Sequence, residues 1–298
     1  MISGQINRIV FFGTEDFSAI SLRALIAAGF DIAAVVTKPD SKKGRGHKLV
    51  PPTVKVIAEA HDIPVWQPAK LSDITDAVKA LQPATGVLVS FGKIIPQSTI
   101  DLFTPGIINV HPSRLPQYRG PSPIESAILY DDDETGVSIM QLSAQMDAGP
   151  VYSYAPILLN GTETAPELYK NLGEIGATML TQLLPGIISG DIVGAPQDDT
   201  QATYCQLIQK SDGVINWSKP AAQIEREIRA YQSWPQSRTT IGGIDVIITD
   251  AHASTTPDQL ALQCGDNNYL IINEIKPIGK KEMPLQAFLA GYKDRLSL

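Results

Sequence analysis

The sequence is poor in cysteine and histidine, and this scarcity limits the kinds of site it can build. Its 298 residues include two cysteines, Cys205 and Cys264, and four histidines scattered along the chain. Two distant cysteines cannot form a disulfide framework, and the histidines lack the spacing of metal ligands. We therefore expect no disulfide scaffold and no metal site, and a reducing compartment fits this composition.

Long apolar runs and a secretory signal are also missing. No stretch is long and apolar enough to span a bilayer, and residues 1–8 lack the basic, apolar and small-residue order of a signal peptide. The net charge of −7 argues against broad binding of nucleic acid but not against a local basic patch. We predict a cytoplasmic protein of one or two domains that does not engage membranes.

The first forty residues alternate between apolar strands and an amphipathic helix. Arg8–Gly13 is a continuous apolar run, Gly29 ends the helix, and Ile32–Thr37 reads as a second strand. This β-α-β opening predicts a Rossmann-like parallel sheet. The turn Phe12–Phe17 has one glycine and two acids, however, where a dinucleotide-binding loop needs three glycines. The hypothesis that the protein is a nicotinamide-dependent oxidoreductase therefore loses most of its support.

The character of the chain changes in its last third. The polar stretch Gln197–Thr203 reads as part of a linker, and from Thr239 short alternating β segments are separated by glycine and asparagine turns. This pattern predicts a small OB-like β-barrel, a fold that often binds nucleic acid or sugar. We expect a Rossmann-like domain over residues 1–190, a linker over 191–207 and the OB-like domain over 208–298.

Three polar residues stand where open α/β sheets place their ligands. Asn109 and His111 are two apart at the end of an apolar strand and so share a face, and Asp147 lies in a turn after another strand. The amide can donate to an oxyanion, the imidazole can move a proton, and the carboxylate can fix its tautomer. This set suits acyl transfer to an amine, although an Asn-x-His strand end is often only a structural turn. Ser113 lacks a Gly-x-Ser-x-Gly elbow, so we expect it to line a ligand loop through its backbone.

The loop Lys38–Leu49 concentrates positive charge on an otherwise acidic chain. On charge alone, a solvated surface loop is the favoured interpretation. Because the cluster stands alone on an acidic protein, a loop that binds phosphate is supported equally well. Its basic residues are Lys42, Lys43, Arg45, His47 and Lys48.

Two motifs carry a family resemblance. The stretch Asn109–Ile124 resembles the hallmark loop of the 10-formyltetrahydrofolate-dependent formyltransferases, and Thr135–Gly149 resembles the same family's second signature. Further segments match, in order along the chain, the members of this family that formylate methionyl-tRNA. These segments are Phe12–Phe17, Lys38–Asp40 with Gly44–Gly46, Val65–Pro68, Ile215–Ser218, Ile228–Tyr231, Trp234–Pro235 and Gly279–Met283.

The resemblance implies a function and assigns roles to residues. It implies a catalytic domain and a tRNA-holding OB-like domain, 10-formyltetrahydrofolate as formyl donor, the α-amine of methionyl initiator tRNA as acceptor, and no metal; we expect a monomer. The residues matching the catalytic trio are Asn109, His111 and Asp147, those matching the folate loop are Ser113, Arg114, Leu115 and Pro116, and those matching the tRNA loop are Lys42, Lys43, Arg45, His47 and Lys48. Arg114 stands where the family usually has leucine, and it could approach the folate glutamate or point to solvent.

Other functions remain open at this point. A formyltransferase acting on a sugar-nucleotide amine would use the same trio without tRNA, although the β-barrel and the basic loop argue against it. A glycinamide-nucleotide formyltransferase normally lacks so long a C-terminal domain. A catalytically inactive RNA-binding module is disfavoured because all three polar residues are present.

Overall fold

Strands and helices alternate through the first part of the protein, whereas strands dominate its end. The computed structural model describes residues 8–43, 48–258 and 261–293. The strands are β1 (Arg8–Gly13), β2 (Ile32–Val36), β3 (Ser41–Lys43), β4 (Lys48–Val50), β5 (Val65–Trp66), β6 (Ala84–Val89), β7 (Ile107–His111), β8 (Glu134–Gln141), β9 (Val151–Leu158), β10 (Ser237–Ile241), β11 (Ile244–Ser254), β12 (Ala261–Gln263), β13 (Tyr269–Pro277) and β14 (Met283–Pro284). The helices are α1 (Asp16–Ala27), α2 (Thr53–Ala60), α3 (Thr75–Ala80), α4 (Gln97–Ile100), α5 (Pro123–Leu129), α6 (Ala165–Ser189), α7 (Ala221–Ala230) and α8 (Leu285–Gly291).

The chain divides into two compact units. The first consists of Met1–Gly120, Gly136–Ile157 and Tyr169–Tyr204, and the second of Pro121–Thr135, Leu158–Leu168 and Cys205–Leu298. Each unit is therefore assembled from more than one segment of the chain.

The first unit contains a seven-stranded sheet in the order β5-β2-β1-β6-β7-β8-β9. The pairs from β5 to β7 are parallel, whereas β7 and β8 are antiparallel. In β1 only Arg8 is exposed, as expected of a parallel strand covered on both faces. Gly29, with φ of +78°, takes the left-handed conformation that ends α1. The predicted Rossmann-like sheet is confirmed.

The second unit contains a curled antiparallel sheet that forms a half-barrel, in the order β10-β11-β13-β12, with β14 paired to β13. The pairing of β11 with β13 shifts register around Asp250, and such bulges increase the local twist of a strand. Ile224 and Ile228 of α7 pack with Phe288 of α8 in the core of this unit. The predicted OB-like fold of the C-terminal part is confirmed.

The polar stretch predicted to belong to a linker is tied down in this structure. The N–H of Thr203 donates to the carbonyl of Pro116 at 3.2 Å, and the N–H of Arg119 donates to the carbonyl of Thr203 at 2.9 Å. The stretch Gln197–Thr203 is thus held against the loop that follows β7.

Candidate active site

Strand β7 presents Asn109 and His111 on one face of the central sheet. Side chains alternate along a strand, and Val110 between them faces α6, where a Cβ added to Gly176 would lie 2.6 Å from Val110 Cγ1. Asn109 and His111 therefore point to the opposite face. Each residue is only 5% exposed. The sheet thus holds two polar side chains side by side in a largely buried place.

The loop after β8 brings the third residue to the same place. Oδ2 of Asp147 lies 3.8 Å from Nδ1 of His111 and accepts a 2.8 Å hydrogen bond from the N–H of Gly120. Asp147 has φ of +48°, in the left-handed region that residues with a Cβ rarely adopt. Gly149 lets the loop turn back, because a Cβ there would lie 1.9 Å from the carbonyl oxygen of Gln141. The structure therefore brings the predicted His111 and Asp147 together.

The hydrogen bond of His111 Nε2 determines which ring nitrogen faces the site. Nε2 lies 3.0 Å from the carbonyl oxygen of Tyr118. A carbonyl can only accept, so Nε2 carries the proton and donates it to this bond. The remaining nitrogen, Nδ1, faces Asp147 and is the one that can take up or release a proton.

The amide of Asn109 is available to a ligand. Within the described residues it forms no hydrogen bond to another protein group, and the residue is nearly buried. Its polar atoms are not among the fully buried side-chain atoms that lack a partner, so the amide opens to solvent. A bound carbonyl oxygen would supply the acceptor that this amide lacks.

The loop Ser113–Pro116 is held to the sheet by Ser138 of β8, the residue paired with His111. The Ser138 hydroxyl donates to the carbonyl of Ser113 at 2.7 Å and accepts from the N–H of Leu115 at 3.2 Å. Ser113 is fully buried and its hydroxyl donates to the carbonyl of Gln117 at 2.6 Å. The Ser113 hydroxyl thus serves the loop's own structure, which agrees with the expectation that it is no nucleophile. The Arg114 guanidinium lies 5.9 Å from the ring centroid of Tyr154.

Sequence comparison identifies the family of this arrangement. The profile of the formyl transferase family matches residues 7–184, and that of the formyl transferase C-terminal domain matches residues 207–293. The methionyl-tRNA formyltransferase of Chloroflexus aurantiacus is 39% identical over 299 residues, which cover 95% of this chain and 96% of the relative. That of Desulfotalea psychrophila is 39% identical over 314 residues, which cover 98% and 97%.

The chain belongs to the methionyl-tRNA formyltransferase family. It is a formyltransferase, and the resemblance drawn from its motifs is confirmed.

Solved structures of formyltransferases share the fold. An N-formyltransferase from Helicobacter canadensis, solved with folinic acid and dTDP-3-aminofucose, superposes with a TM-score of 0.68 at 19% identity, covering 90% of this chain and 99% of that one. The sugar 3N-formyl transferase WlaRD superposes with a TM-score of 0.66 at 20% identity, covering 93% and 100%. At this level of identity the likeness concerns the fold alone.

The basic loop of this formyltransferase contains a short antiparallel hairpin. Strands β3 and β4 pair Lys42 with Leu49 and Lys43 with Lys48. The side chains of Lys42 and Lys48 are exposed. Arg45, His47 and the side chain of Lys43 lie outside the described residues. The expected role of these five residues in holding tRNA stays a prediction.

A polar cluster anchors the base of this hairpin. Lys55 Nζ of α2 donates to both carboxylate oxygens of Asp40, at 2.9 and 3.1 Å. Gln67 Nε2 donates to Asp40 Oδ1 at 2.9 Å and to the carbonyl of Lys38 at 2.8 Å. Hydrogen bonds from Gln67 and Lys55 hold the pKa of the Asp40 carboxyl below its usual value. The hairpin is thus fixed to the Rossmann-like sheet at its root.

Reasoning from the sequence missed two residues beside the trio, Arg119 and Gln197. Arg119 is 2% exposed, and its guanidinium is hydrogen-bonded to Gln197 and Asp199. The signal that could have found it is that Arg119 is the one charged residue in the stretch Leu115–Ile124. Nothing in the sequence indicated Gln197 as its partner.

The described residues contain neither a metal-ligand cluster nor a membrane-spanning helix. No group of three or more His, Cys, Asp or Glu side chains in the described ranges is arranged to hold a metal ion. None of the helices in those ranges combines the length and the apolar character that a membrane span requires.

Proposed function

We propose that this enzyme transfers the formyl group of 10-formyltetrahydrofolate to the free α-amino group of methionyl initiator tRNA, in the cytoplasm, for translation initiation. The proposal is supported by relatives of that name at 35–39% identity over nearly the whole chain. The observation that carries it is the placement of His111 Nδ1 at 3.8 Å from Asp147 Oδ2, beside the Asn109 amide.

The site suits a substrate that donates a formyl group. The Asn109 amide has no hydrogen-bond partner among the described residues, and the backbone of Ser113–Pro116 is fixed by Ser138 at the edge of the same face. When bound, 10-formyltetrahydrofolate supplies a formyl carbon activated towards attack by an amine. The residues that would hold it are Asn109, through the formyl oxygen, and Ser113, Arg114, Leu115 and Pro116, through the loop.

The three side chains divide the work of charge and proton transfer. As the amine forms the new C–N bond, negative charge develops on the formyl oxygen, and Asn109 Nδ2–H and protonated His111 Nδ1–H donate to it. Forming that bond releases one proton from the amine, which Asp147 accepts. Breaking the old C–N bond consumes one proton at N10, which His111 Nδ1 supplies. Proton exchange across the gap between His111 and Asp147 then restores the starting state.

Acceptance of methionyl-tRNA requires contact with the tRNA body. We assign this contact to the hairpin, where Lys42 and Lys48 are exposed, with Lys43, Arg45 and His47 between them, and to the OB-like unit. Cationic side chains on an acidic protein offer a local surface for phosphates.

A formylation assay tests the proposal directly. The enzyme is incubated with 10-formyltetrahydrofolate and, in parallel, with methionyl-tRNA, methionine methyl ester or a dTDP-linked aminosugar. We expect formylation of methionyl-tRNA with a kcat/KM at least about a hundredfold above that for either small amine, because only tRNA reaches the hairpin. Comparable or faster formylation of the aminosugar would establish the sugar-nucleotide activity instead, and tRNA binding without formylation would establish the inactive RNA-binding module.

A further inference from the structure

The buried guanidinium of Arg119 is linked to the backbone that carries Asp147. Its Nε and Nη2 donate to Oε1 of Gln197 at 3.1 and 2.9 Å, Nη2 donates to Asp199 Oδ1 at 2.7 Å, and Nη1 donates to the Tyr204 hydroxyl at 3.3 Å. A buried cation is tolerated only when its donors are paired in this way. Arg119 is therefore fixed, and it fixes Gln197 in turn.

Gln197 passes this constraint to the loop of Asp147. Its Nε2 donates to the carbonyl of Asp147 and to the carbonyl of Gly149, each at 2.7 Å. The orientation of the amide is unambiguous, since a guanidinium has only donors and a carbonyl only accepts. The oxygen of Gln197 must face Arg119 and its nitrogen must face the loop. One side chain thus grips the turn on both sides of Ala148.

The hydrogen bonds from Gln197 stabilise a residue, Asp147, whose backbone conformation is unfavourable on its own. Asp147 occupies the left-handed region, and such conformations persist only where the surrounding structure over-determines them. That conformation directs its carboxylate towards His111 and the N–H of Gly120. Arg119 also stands between Tyr118, whose carbonyl accepts from His111, and Gly120. The backbone on either side of Arg119 thus holds both catalytic groups, because the Tyr118 carbonyl accepts from His111 and the Gly120 N–H donates to Asp147.

We propose that Gln197, oriented by Arg119, is a positioning residue that holds the Asp147 carboxylate against His111 during formyl transfer. This inference rests on the proposed function for its reaction but concerns residues outside the trio. It requires the nitrogen of the Gln197 amide. A role confined to satisfying the buried charge of Arg119 would require only the oxygen.

The substitution Gln197→Glu separates these two roles. Glutamate keeps the oxygen that pairs with Arg119 but loses the donor to the Asp147 and Gly149 carbonyls. We expect kcat to fall at least tenfold, towards the loss of about a hundredfold that a misplacement of about 1 Å produces. The KM values for both substrates and the melting temperature should stay near wild type. The matched control is Gln201→Glu, the same change on an exposed side chain in the same segment, which should not alter kcat.

A second variant shows whether the effect passes through Asp147. In single-turnover assays, Gln197→Glu added to Asp147→Asn should slow transfer far less than it slows the wild type, because coupled residues are not additive. An unchanged kcat in Gln197→Glu, or an equal loss in both backgrounds, would overturn the proposal. The wild type is first assayed with each amine, and the single and double variants are then compared with whichever amine is formylated. Failure of the tRNA assignment is therefore recognised separately from failure of this proposal.

Discussion

The Nδ1 atom of His111 and the Oδ2 atom of Asp147 are 3.8 Å apart, which is close enough for an ion pair and too far for a hydrogen bond. The other ring nitrogen is held by the Tyr118 carbonyl and the other contact of Oδ2 is the Gly120 N–H. The imidazole and the carboxylate are therefore each held by a backbone group, while the atoms that face each other form no hydrogen bond. The amine and the formyl carbonyl of the substrates are groups that could hydrogen-bond to Asp147 Oδ2 and His111 Nδ1, respectively.

Loss of either member of this pair should abolish efficient turnover. We expect His111→Ala and Asp147→Asn each to lower kcat by about 10²- to 10⁴-fold, the usual contribution of a positioned acid or base. His61→Ala, which removes an exposed imidazole elsewhere on the sheet domain, is the control and should be as active as wild type. Steady-state kinetics together with the melting temperature decide the matter, and near-normal formylation by His111→Ala would remove the mechanism.

Removal of the Asn109 amide should act on the transition state more than on binding. Asn109→Ala deletes one donor to the charged formyl oxygen, which typically costs about 3–4 kcal/mol, or on the order of 10²–10³ in kcat. The KM for 10-formyltetrahydrofolate should change much less. Asn171→Ala, on the exposed side of α6, serves as the control. A rise in KM with kcat unchanged would assign Asn109 to ground-state binding instead.

The hairpin should supply affinity for tRNA that depends on salt. The double variant Lys42→Ala with Lys48→Ala should raise the KM for methionyl-tRNA. It should also reduce the slope of log KM against the logarithm of salt concentration, by about one for each phosphate that the hairpin no longer neutralises. Arg45→Ala should act in the same direction.

A charge-matched control makes this salt test specific. Lys79→Ala with Lys170→Ala removes two exposed charges elsewhere, so it changes the net charge equally. Activity towards methionine methyl ester should be unaffected in both double variants. The hairpin has no role in tRNA binding if the two pairs give the same KM and the same slope.

The N-terminus of α6 should make a stability contribution that depends on pH. Glu167 accepts hydrogen bonds from the N–H and hydroxyl of Thr164, and these bonds lower the pKa of its carboxyl. A lowered pKa in the folded state contributes stability above the ordinary value of about 4.5, and this contribution is lost as the pH falls through the folded value. Glu167→Gln should therefore lower the free energy of unfolding at pH 7 and converge with wild type at an acidic pH below the folded pKa.

Denaturant unfolding at both pH values measures this difference. Because Glu167 is exposed, the expected effect at pH 7 is at most about 1 kcal/mol. Glu174→Gln, an exposed glutamate further along the same helix, is the control and should show no such dependence on pH. A cost for Glu167→Gln that is the same at both pH values would contradict the assignment.

Local periodicity predicts much of the site, but it cannot predict which residues from distant parts of the chain pair with each other. Asn109 and His111 could be placed on one face because strand alternation is a local property. The hydrogen bonds from Arg119 to Gln197 join residues 78 positions apart, and no pattern in either neighbourhood reveals such a pairing. The hairpin is predicted only as a loop because three of its six strand residues are lysines, a residue type depleted in strands.

The glycine at position 149 restricts how the substrate range of this enzyme can be redesigned. A side chain there would have to displace the carbonyl of Gln141, the last residue of β8. Laboratory evolution towards new amine acceptors should therefore leave Gly149, in the loop that carries Asp147, unchanged. Useful diversity is expected instead from exposed neighbours such as Met146, whose replacement leaves the strand in place.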